Sequence, residues 1–513
     1  MLAYQWTIGN ALQNLITYID SSSNGAHLFR FFNLNQEFKM NHKVIRFSDE
    51  LQKTYQIVRR VNGDLGLVNK DGRNRLFTKL NSRDGVKLIK RLAKMLGIQL
   101  LSRDIEELLS NLEVESDDAI VIVTSLRVYR SDSVVEVYLA DSESTVARIS
   151  HNGYELVKSG AEAVFEKNVL MKALPIPSQD GDYKLILPYM NLSETAQLLV
   201  LAWLTYTLSH PKAPSTNYVL LFLIGDQGSG KSFLTRLLVS LIDPSAIGTQ
   251  IFPRKQSDLI AFASQRHMVA YDNMRELTNL LSDLLCVCCT GGAASLRKLY
   301  TDADIHDSYI HIAMILNGIH NPITQSDLAQ RTLTIEMNAI TGKQRVSERE
   351  LLEQFEGEKH KIFGGLLNLI SQILKHLPDS KLIKPERMIE FSQWLAAMEN
   401  AIDVEAGTLQ SAYSETIRQS QVDTLLENTF AAAIVEFANT SKSQWSGTPT
   451  ELLNQLEYTS SSHAIRSPDW PRTAISLSKR LNSLKASLLS HDIEVTLSRG
   501  KERRITILNL DEF

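Results

Sequence analysis

The chain has 513 residues, too many for one ordinary hydrophobic core, so three or four domains are expected. Its 43% hydrophobic and 22% charged content is that of a globular protein. No apolar run reaches membrane-spanning length, and residues 1–10 lack the charged start and apolar centre of a secretion signal, so a cytoplasmic location is expected. A net charge of −4 excludes a globally basic chain, and any nucleic-acid binding has to come from local patches.

Residues 1–38 mix aromatic and polar side chains and carry no recognisable chemistry. From 39 to 94 basic residues dominate, among them Arg59, Arg60, Lys79, Arg83, Lys87, Lys90, Arg91 and Lys94. No readout motif accompanies them, and two readings stay open: a phosphate-backbone surface, or the solvated face of a small α+β domain. The block Asp104, Glu106, Glu107, Glu113, Glu115, Asp117 and Asp118 reverses the sign, and a boundary is placed at 118. Residues 119–158 alternate apolar and polar positions around turns at Ser131-Asp132 and Asn152-Gly153, which predicts a small antiparallel β module. Pro175, Pro177 and Gly181 mark a linker, and the module is taken to end at 190. Residues 191–209 then read as a helix, with Ser193 as its N-cap and Glu194 in its first turn.

The segment Gly225, Asp226, Gln227, Gly228, Ser229, Gly230, Lys231, Ser232 fits G-x-x-x-x-G-K-S/T without a mismatch. It follows a strand-length apolar run, 218–224, and precedes helical apolar spacing over 233–242, the context a phosphate-binding loop requires. Glycines there let backbone N–H groups turn inward toward phosphate oxygens, and the helix N-terminus adds its positive dipole end. Lys231 would neutralise the β and γ phosphates of ATP, and Ser232 would hold Mg²⁺ through its hydroxyl. Strands and helices alternate from there to about residue 340, which predicts a parallel sheet with helices on its faces. Strand 267–271 ends at Asp272-Asn273, strand 310–316 ends at Asn317, and 331–337 forms a third. Ligand sites lie at the carboxyl ends of such strands, so Asp272 is read as a Mg²⁺-water ligand and Asn317 as the polar sensor of the γ phosphate.

All three cysteines, Cys286, Cys288 and Cys289, sit in one apolar stretch too tight for a disulfide among them, and are expected as buried thiols of a helix. Gly291 and Gly292 then end that helix, and an exposed excursion carries Arg297, Lys298 and Tyr300. In a ring ATPase these three would face the pore and grip a phosphate backbone and a base; an ordinary charged loop is the other reading. Helices are predicted over 348–355, 362–377, 388–401 and 408–439, as packing and as a lid. In the tail, two helices precede two β runs, 493–497 and 504–508. Lys479, Arg480 and Lys485 lie on the outer helix face, and Arg499 and Lys501 in the hairpin. That order is the order of a winged helix, in which these residues would contact duplex DNA; the same pattern serves protein contacts elsewhere.

The loop at 225–232, Asp272-Asn273, the Gly-Gly to Arg-Lys-Leu-Tyr-Thr-Asp segment, Ile315-Leu316-Asn317-Gly318 and the stretch from Asp327 to Arg331 together resemble the superfamily 3 helicase branch of AAA+ ATPases. The resemblance is closer to the phage and mobile-element members related to the poxvirus-type primase-helicases, and it covers about residues 119–375. It implies an α/β AAA+ core, a hexameric ring with ATP sites between subunits, and translocation on single-stranded DNA in the pore. By position, Arg331 would match the arginine finger, and Arg297 and Lys298 the pore hairpin. Many AAA+ ATPases carry a catalytic Glu where this chain has Asn273, which cannot accept a proton, so Glu276, expected one helical turn on, is the substitute base; slow hydrolysis is the alternative.

The expected organisation is 1–118 basic α+β region, 119–190 β module, 191–375 ATPase, 376–444 helical region and 445–513 winged helix. The expected function is an ATP-dependent DNA helicase or translocase in replication of a phage, plasmid or genomic island. With no acidic metal cluster in the first hundred residues, no primase is expected. The rival reading is a regulatory or defence AAA+ ATPase that remodels or recruits proteins without unwinding DNA.

Overall fold

The computed structural model describes residues 42–72, 75–297, 305–340, 346–440, 444–499 and 503–510, without the side chains of residues 264, 294–297, 305–308 and 499. The chain forms two compact units: one takes in the residues up to Asp71 together with Leu76–Val123, the other Gly72–Arg75 with Thr124–Phe513.

The first unit runs α1 (His42–Thr54), β1 (Tyr55–Arg60), β2 (Leu65–Asn69), β3 (Leu76–Lys79), α2 (Arg83–Met95), α3 (Ser102–Glu115) and β4 (Val121–Ile122). β1, β2 and β3 pair antiparallel, and β4 adds parallel to β1 through Arg59↔Val121. That pairing carries the unit past the expected boundary at 118. Val44, Phe47 and Leu51 of α1, Ile89 and Ala93 of α2, and Ile105, Leu108 and Leu112 of α3 share one core. Ser82 begins α2 by accepting from the Gly85 N–H at 3.0 Å, a side-chain cap for an otherwise orphaned donor.

The second unit opens with the antiparallel meander β5 (Val128–Arg130), β6 (Val135–Tyr138), β7 (Val146–Ser150) and β8 (Gly153–Val157), as the alternation predicts. After the short β9 (Phe165–Glu166) comes α4 (Glu194–Thr207), N-capped by Ser193 as expected. The central sheet is built from β10 (Leu220–Ile224), β11 (Gln250–Ile251), β12 (Met268–Met274), β15 (Ala313–Gly318) and β16 (Thr332–Glu336). All its pairs are parallel, in the order β11-β12-β15-β10-β16. Between them lie α5 (Lys231–Ile242), α6 (Gln256–Gln265), α7 (Asn279–Thr290), the hairpin β13 (Gly292–Arg297) with β14 (Ile305–Ile310), and α8 (Ser326–Ala329). The sequence Leu-Leu-Phe-Leu-Ile of β10 is apolar on both sides because helices cover both faces of a parallel sheet.

Helices α9 (Glu348–His376), α10 (Ile389–Ala401), α11 (Thr408–Glu427) and α12 (Thr429–Thr440) follow. The tail comprises β17 (Gln444–Gly447), α13 (Pro449–Thr459), α14 (Ser462–Arg466), α15 (Ala474–Leu489), β18 (Ile493–Arg499) and β19 (Arg503–Asn509), with the sheet β17-β19-β18. One core extends from Val128 to Ile417, so the meander, the sheet and the helices after it bury one another and are not separated at 190 or 375. A second core extends from Leu425 to Ile507; the tail therefore draws in Phe430 and Ile434 of α12, ahead of the expected boundary at 445.

Two expectations are corrected. The helices foreseen at 348–355 and 362–377 are one helix, α9, whose polar stretch 356–361 lies mostly toward solvent while Phe355, Ile362 and Phe363 keep the apolar stripe continuous. The Pro-marked linker is also no free linker: it crosses α9 at Gly364 and Gly365. A Cβ built on Gly365 would lie 2.1 Å from the Tyr183 nitrogen, and one on Gly364 2.0 Å from the Ser178 carbonyl oxygen. The Ser178 N–H also donates to the His360 carbonyl at 3.0 Å.

Gly365→Ala should therefore lower the urea midpoint by the equivalent of about 1–3 kcal/mol, the cost of overpacking. Gly357→Ala in the same helix, where nothing lies within 4 Å, should instead raise it, by about 0.5–1 kcal/mol. Equal effects of the two would refute the backbone crossing.

His267 and His311, each 1% exposed and just ahead of β12 and β15, supply a pH dependence. Burial brings both imidazoles from 6.5 down to about 4. The folded state then binds fewer protons than the unfolded one between these values. Stability should be full above pH 6.5 and fall as pH drops toward 4, by up to about 1.4 kcal/mol per pH unit for each group. Urea unfolding of the wild type and of His311→Leu between these limits checks it; an equally steep slope in both would contradict the assignment.

Candidate functional site

The 225–232 loop leaves the carboxyl end of β10 and turns directly into α5. Gly228 at φ +83° and Gly230 at φ +94° occupy the left-handed region, which side chains with a Cβ rarely adopt. Gly230 is the residue ahead of α5, so the turn ends with helix N–H groups beside the loop. Lys231, 9% exposed, folds its ammonium back onto the loop: Nζ donates to the carbonyls of Gly225 at 2.6 Å and Asp226 at 2.7 Å and to Ser229 Oγ at 3.3 Å. Burial lowers its pKa, against the pull of Asp226 and Asp272.

Neighbouring strands converge on the same edge. Ser232 Oγ donates to Asp272 Oδ1 at 3.0 Å, bringing together the two residues read from sequence as the Mg²⁺ pair. Asn317 is 1% exposed and both ends of its amide are engaged: Oδ1 accepts from the Asn273 N–H at 3.0 Å, and Nδ2 donates to Thr235 Oγ1 at 3.1 Å. Asn273 stands exposed at φ +59°, where the β12–β15 register slips between Tyr271 and Met274. A strand position in the left-handed region favours Asn over a longer or branched side chain, a backbone reason for an amide here. Glu276 is exposed in the irregular connection between β12 and α7, not one helical turn on, because the helix begins only after its cap Thr278.

Asn191 carried no motif in the sequence. Its Nδ2 donates to the carbonyls of Ser229 at 3.1 Å and Asn338 at 2.6 Å, tying the loop to the segment after β16. A cleft of about 810 Å³ opens beside the loop, where Gln227, Gly228 and Gly230 meet an apolar wall that includes Tyr189, Met190, Phe233, Met337 and Leu351. These residues are far apart in the sequence, and no spacing rule links them.

Arg331 and the hairpin lie at the other edge. Arg331 precedes β16, and its carbonyl accepts from the Leu220 N–H, the amino end of β10. It is 8% exposed, and its guanidinium is held by Asp327, through the carbonyl at 2.7 Å and the carboxylate at 2.5 Å. Asp327 also pairs with Arg387. Partial burial would raise the Asp327 pKa, but the hydrogen bond and charge of Arg331, with the charge of Arg387, bring it down to about 2. Arg387 had no signal in the sequence. Arg297 ends β13, opposite Ile305; its side chain, and Lys298 and Tyr300 entirely, lie outside the described residues.

In the tail, Lys479 is exposed on α15 and Lys485 is half-buried. Arg480 is turned toward the preceding loop, donating to the carbonyls of Asp469 at 2.7 Å and Pro468 at 3.0 Å, so it braces that turn and is not a free surface cation. The Arg499 side chain and Lys501 lie outside the described residues.

By class, the chain is similar to replication proteins of mobile elements. More particularly, residues 183–420 match the family model of the actinomycete integrative conjugative element replication protein, and residues 430–512 match that of the AICE RepA C-terminal domain. No curated protein matches. Among solved structures, the chain is similar to the apo C-terminal region of NrS-1, at 11% identity and TM-score 0.40, covering 91% of this chain and 99% of that one. A JCV helicase aligns at 13% identity and TM-score 0.21, over 44% of this chain and 66% of that one.

Asn273 gives a stability prediction. Asn273→Gly should leave the urea midpoint nearly unchanged, whereas Asn273→Val should lower stability by about 1–2 kcal/mol, the cost of a left-handed residue with a branched Cβ. A neutral Val variant would mean that the left-handed turn is not fixed.

Proposed function

We propose that this chain is a replicative ATPase of the AAA+ type, close to superfamily 3, that translocates on or unwinds DNA of a mobile genetic element. One observation carries the reading: Lys231 and the Ser232–Asp272 pair meet at the carboxyl edge of a parallel sheet, within a segment that matches a replication-protein family. Gly225, Asp226, Gln227, Gly228, Ser229 and Gly230 form the turn that would enclose the phosphates, and the apolar cleft beside it suits an adenine ring.

Lys231 releases the Gly225 and Asp226 carbonyls as phosphate oxygens take their place. Its ammonium already lies against the loop, and charge-assisted hydrogen bonds to phosphate are stronger than those to neutral carbonyls. Ser232 and Asp272 offer hard oxygen donors at the right edge and would hold Mg²⁺, which when bound neutralises charge on the phosphates. Asn317 fixes the β12 end on which Asp272 sits, a positioning role supported by its two hydrogen bonds. Water is oriented by Asn273 or deprotonated by Glu276; both are exposed at this edge.

Arg331 and the β13–β14 hairpin belong to the opposite, amino edge of the sheet, which suits a ring in which each subunit offers Arg331 to the nucleotide of its neighbour. In that homo-oligomer, a hexamer by the resemblance, Arg297, Lys298 and Tyr300 grip single-stranded DNA. The tail order α12, β17, α13, α14, α15, β18, β19 supports a winged helix, with Lys479, Lys485, Arg499 and Lys501 as its contacts to duplex DNA.

The second reading, a regulatory or defence ATPase that recruits proteins, is favoured by Asn273 in place of an acidic residue. Wild type should hydrolyse ATP and open forked DNA. Lys231→Ala should abolish both, and Lys298→Ala should retain hydrolysis while losing unwinding. Glu276→Gln should slow hydrolysis by about 10²-fold or more if Glu276 is the base. Wild-type hydrolysis without DNA binding or unwinding would replace the helicase reading with the second one.

A further inference from the structure

The C-terminal part of the basic run, residues 83–94, lies on one helix. In α2 the cations Arg83, Lys87, Lys90, Arg91 and Lys94 are all exposed, at spacings of four, three, one and three residues. At 3.6 residues per turn they fall within an arc of about 100°. The opposite face is committed to the core through Gly85, Ile89 and Ala93, with Val86, Leu88 and Leu92 packed beside them. The stripe is therefore fixed outward by burial of its reverse side.

Charge is segregated within the unit. Helix α2 carries five cations and one acid, net +4, and α3 carries one cation and five acids, net −4. An ordinary solvated surface intersperses the two signs. The one acid of α2, Asp84, pairs with Lys87 at 3.2 Å with both side chains more than half exposed, a contact that salt and competing anions readily displace.

We infer that the α2 stripe is a sequence-independent docking surface for the phosphate backbone of duplex DNA. From Arg83 to Lys94 the stripe spans about 16 Å at 1.5 Å per residue, the axial length of four to five phosphates of one strand. The stripe carries no aromatic residue on which single-stranded bases could stack. A second copy of α3 is the other polyanionic occupant the chain itself could offer, but its acids do not form a matching stripe. Asp104 is 2% exposed and caps its own helix through the Leu101 N–H at 2.9 Å, while Glu106 and Glu115, nine residues apart, lie on opposite sides. The inference rests on the proposed function only for the identity of the polyanion as DNA.

The test uses the full chain without nucleotide, comparing wild type with Lys87→Ala/Lys90→Ala/Arg91→Ala/Lys94→Ala. These are exposed helix positions at which Ala favours the helix, so the urea midpoint should be kept. Fluorescence anisotropy on a duplex of about 30 base pairs, over about 50 to 300 mM salt, should give a log–log salt slope shallower by about 3 to 4 in the variant, near 0.9 for each lost contact. Affinity at the low-salt end should fall at least tenfold. An Arg103→Ala variant on α3 should behave as wild type.

Unchanged slope and affinity on duplex overturn the inference. So does a loss confined to single-stranded DNA, or a loss of self-association by sedimentation with duplex binding intact, which would assign the stripe to a second copy. ATP hydrolysis and fork opening by the same proteins separate the two conclusions. Normal unwinding with an unaltered duplex slope would sink the stripe alone, and an altered slope in a protein that never unwinds would sink the helicase reading alone.

Discussion

The side chain of Asn317 is the constraint on which the loop edge of the second unit depends. It is buried at the carboxyl end of β15, where an amide has to find both a donor and an acceptor or leave costly unpaired groups. It finds the Asn273 N–H on β12 and the Thr235 hydroxyl on α5. Thr235 in turn donates to the Lys231 carbonyl, so three elements that meet nowhere in sequence are held at one height. With that height fixed, Ser232 reaches Asp272 across 3.0 Å, and the left-handed Asn273 has its N–H satisfied at the point where the strand register slips.

The opposite edge is organised by a carboxylate. Asp327 faces both Arg331 and Arg387, one largely buried and the other 41% exposed, and the pair of guanidiniums keeps it ionised down to about pH 2. Arg387 comes from the segment ahead of α10 and Arg331 from the start of β16, so the helical region is joined to the sheet at the side away from the 225–232 loop.

A third join lies where the segment 178–183 crosses α9. A Gly pair in a helix interior costs about 1 kcal/mol per residue against Ala, which is unfavourable unless another backbone occupies the space. Here the Ser178 and Tyr183 backbones do. The meander's last connection, the long helix and the parallel sheet consequently share one core, while the tail and the first unit keep cores of their own.

Much was legible from sequence because it is encoded within short windows. The glycines at 228 and 230 are needed where the backbone turns left-handed, the apolar run of β10 is what a strand covered on both faces requires, and Ser193 caps α4 as its position predicts. The alternation of β5–β8 and the buried cysteines of α7 follow from the same local periodicity. Misreadings arose where a distant partner changed the meaning of a local signal. Pro175, Pro177 and Gly181 looked like a free linker until α9 supplied a surface, the polar stretch 356–361 looked like a break, and Arg480 looked like a free cation although it holds the carbonyls of 468 and 469. Asn191, Arg387 and the apolar cleft had no local signal at all. By itself, then, the sequence determined the strand and helix periods, the left-handed glycine turn and the residue types at the strand ends, since each depends on neighbours a few positions away. Only the tertiary structure decided that Asn317 braces Asp272's strand, that Arg331 is clamped by Asp327, and that the last five cations of the basic run face outward on a single helix, because burial and hydrogen-bond geometry are set by chain segments tens to hundreds of residues apart.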